Sequence, residues 1–239
     1  MPNWVQNKLF LRGEEKEVKR LLQSIKGKHQ GFDFNKVIPM PESLNITSGS
    51  VEKFSHEVYS YQVLGIQSDY LKRRYENHCT TAGNISIERY IDYLVESKQV
   101  DLELGKTAYD NLQQYGYMDW YDFCCTEWGC KWNASDVEIE ENCICFTTPW
   151  GAPILVIEKL SKMFPALTIR HIWSDEDIGA NCGEVFYYDT CNGKAEYFPE
   201  DFTSDAYGLY VECWGDTDCI DQIGDKYIRK ECEDCKICA

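Results

Sequence analysis

The sequence lacks several features that would place it in familiar functional classes. No apolar run approaches the ~18 residues needed to cross a bilayer, and Met1-Pro2-Asn3-Trp4 opens the chain with neither a basic nor an apolar leader segment. A cytoplasmic protein without a membrane span is expected. There is no glycine-rich phosphate loop, no His-Glu-x-x-His and no Gly-x-Ser-x-Gly, so P-loop, zincin and serine-hydrolase chemistry have no motif here. Positive charge is scarce: 24 Lys and Arg stand against 40 Asp and Glu, a net charge of −16. The imbalance lies in the second half, where residues 119–239 hold 9 basic and 25 acidic side chains. Such a field repels nucleic acid and anionic membranes and favours a basic protein partner.

Cysteine and aromatic residues are plentiful. The 13 cysteines are odd in number, and in a reducing compartment free thiols or a metal site are expected before a disulfide framework. Aromatics make up 14% of the chain and concentrate in Trp120–Ala134, which holds three Trp and three Cys in a stretch that fits neither a helix nor a strand period.

Elsewhere the periods are legible. Residues 5–11 read as a strand. Residues 14–26 read as a helix with Val18, Leu21, Leu22 and Ile25 on one stripe. Pro39 and Pro41 exclude a helix over 32–44, which is expected to be extended, with Phe32, Phe34, Val37 and Ile38 on the core. Residues 50–117 read as helices throughout, with stripes at Val51, Phe54, Val58 and Tyr61 and at Ile87, Tyr90, Ile91, Leu94 and Val95, and Ser86 as an N-cap. A hairpin follows over 137–147, then a helix between Pro149 and Pro165, a strand over 167–173 and another over 183–188.

With the helical stretch set aside, the order is β-α-β-β-α-β plus one strand. The fold class expected is α+β, a ferredoxin-like split βαβ antiparallel sheet with both helices on one face and a large all-helical insertion. The expected domains are a discontinuous sandwich of 1–48 and 118–195, the insertion 49–117, and an acidic, cysteine-rich C-terminal extension, 196–239.

Four segments carry a family resemblance: Met-Pro-Asn-Trp-x-x-Asn at 1–7, Phe-Asp-Phe-Asn-Lys-Val-Ile-Pro-Met-Pro at 32–41, Glu-Trp-Gly-x-Lys-Trp-Asn-Ala at 127–134 and Thr-Pro-Trp-x-x-Pro at 148–153. Over residues 1–190 the chain resembles the YubB-like family of phage and plasmid proteins. Val5, Cys130 and Gly151 depart from the family's usual Cys, Thr and Ser. The resemblance implies a ferredoxin-like domain interrupted by helices and a mobile-element setting. It implies no catalytic or binding residue.

Two groups of side chains are candidates for a site. Trp128, Lys131, Trp132 and Asn133 could line a ligand groove, or they could pack a buried junction together with Trp4 and Trp150. Cys232, Cys235 and Cys238 have the close spacing of zinc ligands, with Cys219 or Cys213 as the fourth. A third arrangement, a Cys124, Cys125 or Cys130 nucleophile with His171 as base, requires a neighbourhood that the sequence does not establish. Asp175-Glu-Asp177 and Asp216-Thr-Asp218 read as solvated loops. The function expected is a non-catalytic interaction protein whose acidic half docks a basic host protein. A small zinc module or a cysteine-dependent enzyme stands as the alternative.

Overall fold

The computed structural model describes residues 3–28, 31–188 and 193–230. In chain order the elements are β1 (Trp4–Arg12), α1 (Glu15–Ile25), α2 (Ser50–Leu64), α3 (Asp69–Ala82), α4 (Ile87–Glu96), α5 (Leu102–Tyr115), α6 (Trp120–Phe123), β2 (Ser135–Glu140), β3 (Cys143–Pro149), α7 (Ile154–Met163), β4 (Thr168–Asp175), β5 (Gly183–Tyr188), β6 (Gly193–Tyr197), α8 (Ser204–Trp214), β7 (Ile220–Ile223) and β8 (Lys226–Arg229). Short 3-10 turns lie at Phe34–Lys36 and Glu42–Leu44. The chain divides into two compact units, Met1–Pro39 with Cys124–Ala239, and Met40–Phe123.

The first unit is built on an antiparallel sheet of order β2-β3-β1-β4-β5-β6. Its first four strands have the ferredoxin-like order, and the β5–β6 hairpin extends the β4 edge. Along β1, Val5, Asn7, Leu9 and Leu11 are buried and alternate with partly exposed Trp4, Gln6, Lys8 and Phe10. The register places Leu9 beside Ile144 and His171, and Leu11 beside Ile169. This face carries α1, through Val18, Leu21 and Ile25, and α7, through Val156, Ile157 and Leu160. Phe32, Phe34 and Phe146 fill the space at its β3 side with edge-to-face contacts 5.0–6.1 Å between centroids. The 32–44 segment is therefore not extended. Asp33 caps a 3-10 turn by accepting from Asn35 N, and that turn brings Phe34 inward beside Phe32.

The opposite face departs from the sequence reading more strongly. The segment from 196 was expected as an extension outside the sandwich, yet Ser204–Trp214 forms α8 and packs on the sheet. Ala206, Leu209 and Cys213 meet Ile172, Cys182 and Phe10. The side chain of Thr203 caps the helix by accepting from Ala206 N, and the apolar positions recur at helical spacing. Arg170 of β4 binds Glu212 of α8, with Nη2 2.8 Å from Oε2, and also binds Glu184 of β5. The small β7–β8 hairpin is joined to α8 by Tyr210, Tyr207, Ile220 and the partly buried Tyr227.

The second unit is helical. Ser68, Ser86 and Asp101 cap α3, α4 and α5, and Gly65 and Gly116 end α2 and α5 in the left-handed region. Phe54, Val58, Leu71, Tyr90, Ile91, Leu94 and Val100 form its core. The stripe expected on α2 is rotated: Val51 is exposed, while Glu52 and Ser55 are buried. The cause is a backbone approach between α2 and α5, where a Cβ on Gly105 would lie 2.2 Å from the carbonyl oxygen of Ser55. The unit also reaches beyond 49–117. Asn111 donates to the carbonyls of Ser43 and Met118 and so ties both flanking segments to α5.

Candidate functional site

Two of the four residues proposed from the Trp/Cys stretch hold the fold together. The chain leaves α6 through a π-helical turn, Cys124–Trp128, and turns at Gly129 with a φ of 79°. Trp128 is only 3% exposed, donates from Nε1 to the carbonyl of Ile38 at 3.0 Å and packs edge-on against Phe34. The Asn133 side chain accepts from Phe34 N at 2.9 Å and Ala134 N at 3.0 Å, and its amide donates to Asp33 at 2.8 Å. The 127–134 motif thus recognises the 32–41 motif, which accounts for the buried-junction reading of these two side chains.

A second set of motif residues forms a buried polar chain through the sheet. His171 donates from Nε2 to Asn7 Oδ1 at 3.0 Å, Asn7 Nδ2 donates to Thr148 Oγ1 at 2.9 Å, and the Thr148 hydroxyl donates to the carbonyl of Gly151 at 2.8 Å. Because Asn7 Nδ2 also donates to Val5, its oxygen faces His171, which fixes the ring as the neutral Nε2–H tautomer. Nδ1 of His171 is buried without a hydrogen bond among the described residues, and burial lowers the pKa to about 3. The N-terminal Asn and the Thr of Thr-Pro-Trp therefore act as structural polar links, a role that the apolar alternation of β1 did not reveal.

The remaining two candidates are at the surface, at the end of the sheet where β1 begins and β3 and β4 end. Trp132 is 38% and Trp150 49% exposed. Lys131 places Nζ 4.5 Å from the Trp132 ring centroid and 4.9 Å from that of Trp150, so one cation lies against two indoles, and Trp4 sits 6.3 Å from Trp132. Trp150 has a φ of 67°, Asn181 of 46° and Phe202 of 62°. For bulky side chains this region is strained, and such residues persist where surrounding contacts hold them. Here those contacts are explicit. Trp150 N donates to the Asn3 carbonyl, Asn181 donates from its side chain to the Trp150 carbonyl and from its backbone to Asp201, and Phe202 N donates to the Gly179 carbonyl. Asn3 also donates to Asp175 and Asp177. Exposed Trp132, Trp150 and Phe202 thus share one rim with the exposed carboxylates of Glu176, Asp177 and Asp201. The sequence pointed to Trp132 and Lys131. It did not point to Phe202, Asn181 or Asp201, although a Trp before Gly and a Phe in an acidic loop would have been the signal.

The cysteine arrangements do not assemble among the described residues. Cys232, Cys235 and Cys238 lie outside the described residues. Cys219 is buried in an apolar cluster with Ile178, Tyr207, Tyr210 and Ile220, while Cys213 faces the sheet from α8. Among the described residues no group of three or more His, Cys, Asp or Glu could hold a metal ion. Cys130 donates to the Trp132 carbonyl, and burial pushes its thiol pKa upward. That opposes the thiolate a nucleophile needs. The histidine offered as its base is committed to Asn7. Asp175 accepts from Asp177 N and the Asn3 amide, which is a loop-closing role.

Residues 127–229 match the family model described as the ferredoxin-like domain in Api92-like protein. The match runs from the end of the π-helical turn through β8, so it includes α8 and the last hairpin, beyond the limit at 190 drawn from the sequence motifs. A solved structure, the protein api92 from Yersinia pseudotuberculosis, is similar at 14% identity, covering 84% of this chain and 100% of that one, with a TM-score of 0.41. No curated protein matches the chain.

Proposed function

We propose that this chain is a non-catalytic accessory protein of a phage or plasmid, and that it docks a basic host protein through the acidic, aromatic end of its sheet. The observation that supports this is the strained rim: Trp150 and Phe202 are held outward by left-handed backbone beside Glu176, Asp177 and Asp201. Exposed aromatics are the side chains from which interface hot spots are built. Indole faces attract cations, and Lys131 already lies against two of them. A partner's Arg or Lys would meet the same faces with carboxylates alongside. The net charge of −16 steers such a partner at long range.

Affinity capture from host lysate with the full chain tests the reading. Basic proteins retained at low salt, released as salt rises, and lost with Trp150→Ala support it. Retention of nothing, or retention insensitive to salt and to Trp150→Ala, removes it.

A further inference from the structure

The sheet face under α8 is covered over Ile172 and Cys182 and open at its other corner. There Phe10 and Arg12 of β1, Arg170 of β4 and Phe186 of β5 fall on one side of the sheet. With the β2–β3 turn they enclose a groove of about 540 Å³. That volume is ordinary for a small-molecule site.

The floor is built around Arg170. Its guanidinium sits 5.2 Å from the Phe10 ring centroid and 5.8 Å from that of Phe186. Glu212 and Glu184 hold it, and their two carboxylates outweigh its single positive charge, so it contributes a fixed planar group beside two phenyl rings rather than a free cation. Aromatic rings and guanidinium planes are the surfaces on which planar heterocycles stack. Arg12, two residues beyond Phe10 on the same side, is different. It is exposed and forms no ion pair among the described residues. In a strongly acidic chain, a guanidinium with no ion pair among the described residues, beside a stacking floor, is a place for an anionic group. Glu140 and Glu141 line the other wall. A polyanion laid along the groove would meet these carboxylates, so a ligand with one anionic group fits the acidic wall better than a run of phosphates. The groove's volume and acidic wall favour a small ligand over a nucleic-acid strand.

We propose that this groove binds a planar aromatic small molecule carrying one anionic group, with the ring over Phe10, Arg170 and Phe186 and the anion on Arg12. The site is separate from the aromatic rim and does not depend on the docking reading.

The probe is 8-anilinonaphthalene-1-sulfonate, titrated by fluorescence into the full chain, with N-phenyl-1-naphthylamine as the same rings without the charge. Saturable one-to-one binding is expected, weakened roughly tenfold or more by Arg12→Gln and by Phe186→Ala, with the neutral analogue weaker to a similar degree. Both substituted side chains are exposed, and a melting curve for each variant verifies its fold. Absence of saturable binding overturns the proposal. So does sulfonate binding that is unchanged in Arg12→Gln or in Phe186→Ala, because the dye would then be elsewhere.

Discussion

Glu52→Gln should stabilise the helical unit at alkaline pH and change little at acid pH. Glu52 is fully buried in α2, and among the described residues no hydrogen bond of ordinary geometry reaches either carboxylate oxygen. Asp119, also fully buried, accepts at Oδ1 from Tyr121 N at 2.7 Å and Asp122 N at 3.1 Å, and its other oxygen has no partner among the described residues. Burial first, then the charge of Asp119, raise the Glu52 pKa from 4.5 to about 7; Asp122 adds to this, while the Gly49 backbone and Lys53 act against it. The folded state therefore binds more protons than the unfolded state between those two values. The stability that Glu52 contributes is fully present below pH 4.5 and is lost as pH rises through 7. At about 1.4 kcal/mol per pKa unit the loss is on the order of 3 kcal/mol. The assay is urea unfolding of the full chain followed by far-UV circular dichroism from pH 4.5 to 8, comparing wild type with Glu52→Gln. The difference in stability should grow with pH, in favour of Gln, to that magnitude. Parallel pH profiles would refute the reasoning, and so would a variant less stable than wild type at pH 8.

The sheet unit should respond to pH in the opposite sense. His171 is held neutral with its pKa lowered to about 3, so the unfolded state binds the extra proton below pH 6.5 and stability falls as pH falls from there. Trp fluorescence should show loosening on acidification, since six of the seven Trp belong to this unit, and His171→Phe should flatten the response. Gly105→Ala forces a Cβ to within 2.2 Å of the Ser55 carbonyl oxygen and should destabilise the helical unit by ~1–3 kcal/mol in the same urea assay. Trp150→Gly relieves a left-handed φ of 67° and should leave stability unchanged or raised by ~1 kcal/mol, while weakening partner capture. A loss of both together would make Trp150 a packing residue.

The period-based elements were legible because each buries one stripe or one face against a partner. β1, α1, the 137–147 hairpin and α7 follow directly from alternation or helical spacing, and their order defines the sheet. α8 has an equally regular stripe at Ala206, Leu209, Tyr210 and Cys213, but its acid-rich surroundings assigned the segment to a C-terminal extension. The rotation of α2 could not be read, because it depends on how closely Gly105 approaches another helix's backbone. The Trp/Cys stretch divided for a similar reason. Trp128 and Trp132 are four residues apart, but the turn at Gly129 sends one into the core and the other to the surface. Only the geometry of the rim shows that Phe202 and Asp201, far along the chain, share a surface with Trp150.

The most direct test of the docking account is a fluorescence-anisotropy titration of a labelled Lys/Arg-rich peptide with the full chain across a salt series. Wild type should bind at low salt and weaken steadily as salt rises, Trp150→Ala should weaken binding several-fold, and Glu176→Lys should flatten the salt dependence. An affinity that is absent at low salt, or that ignores all three changes, would contradict the account.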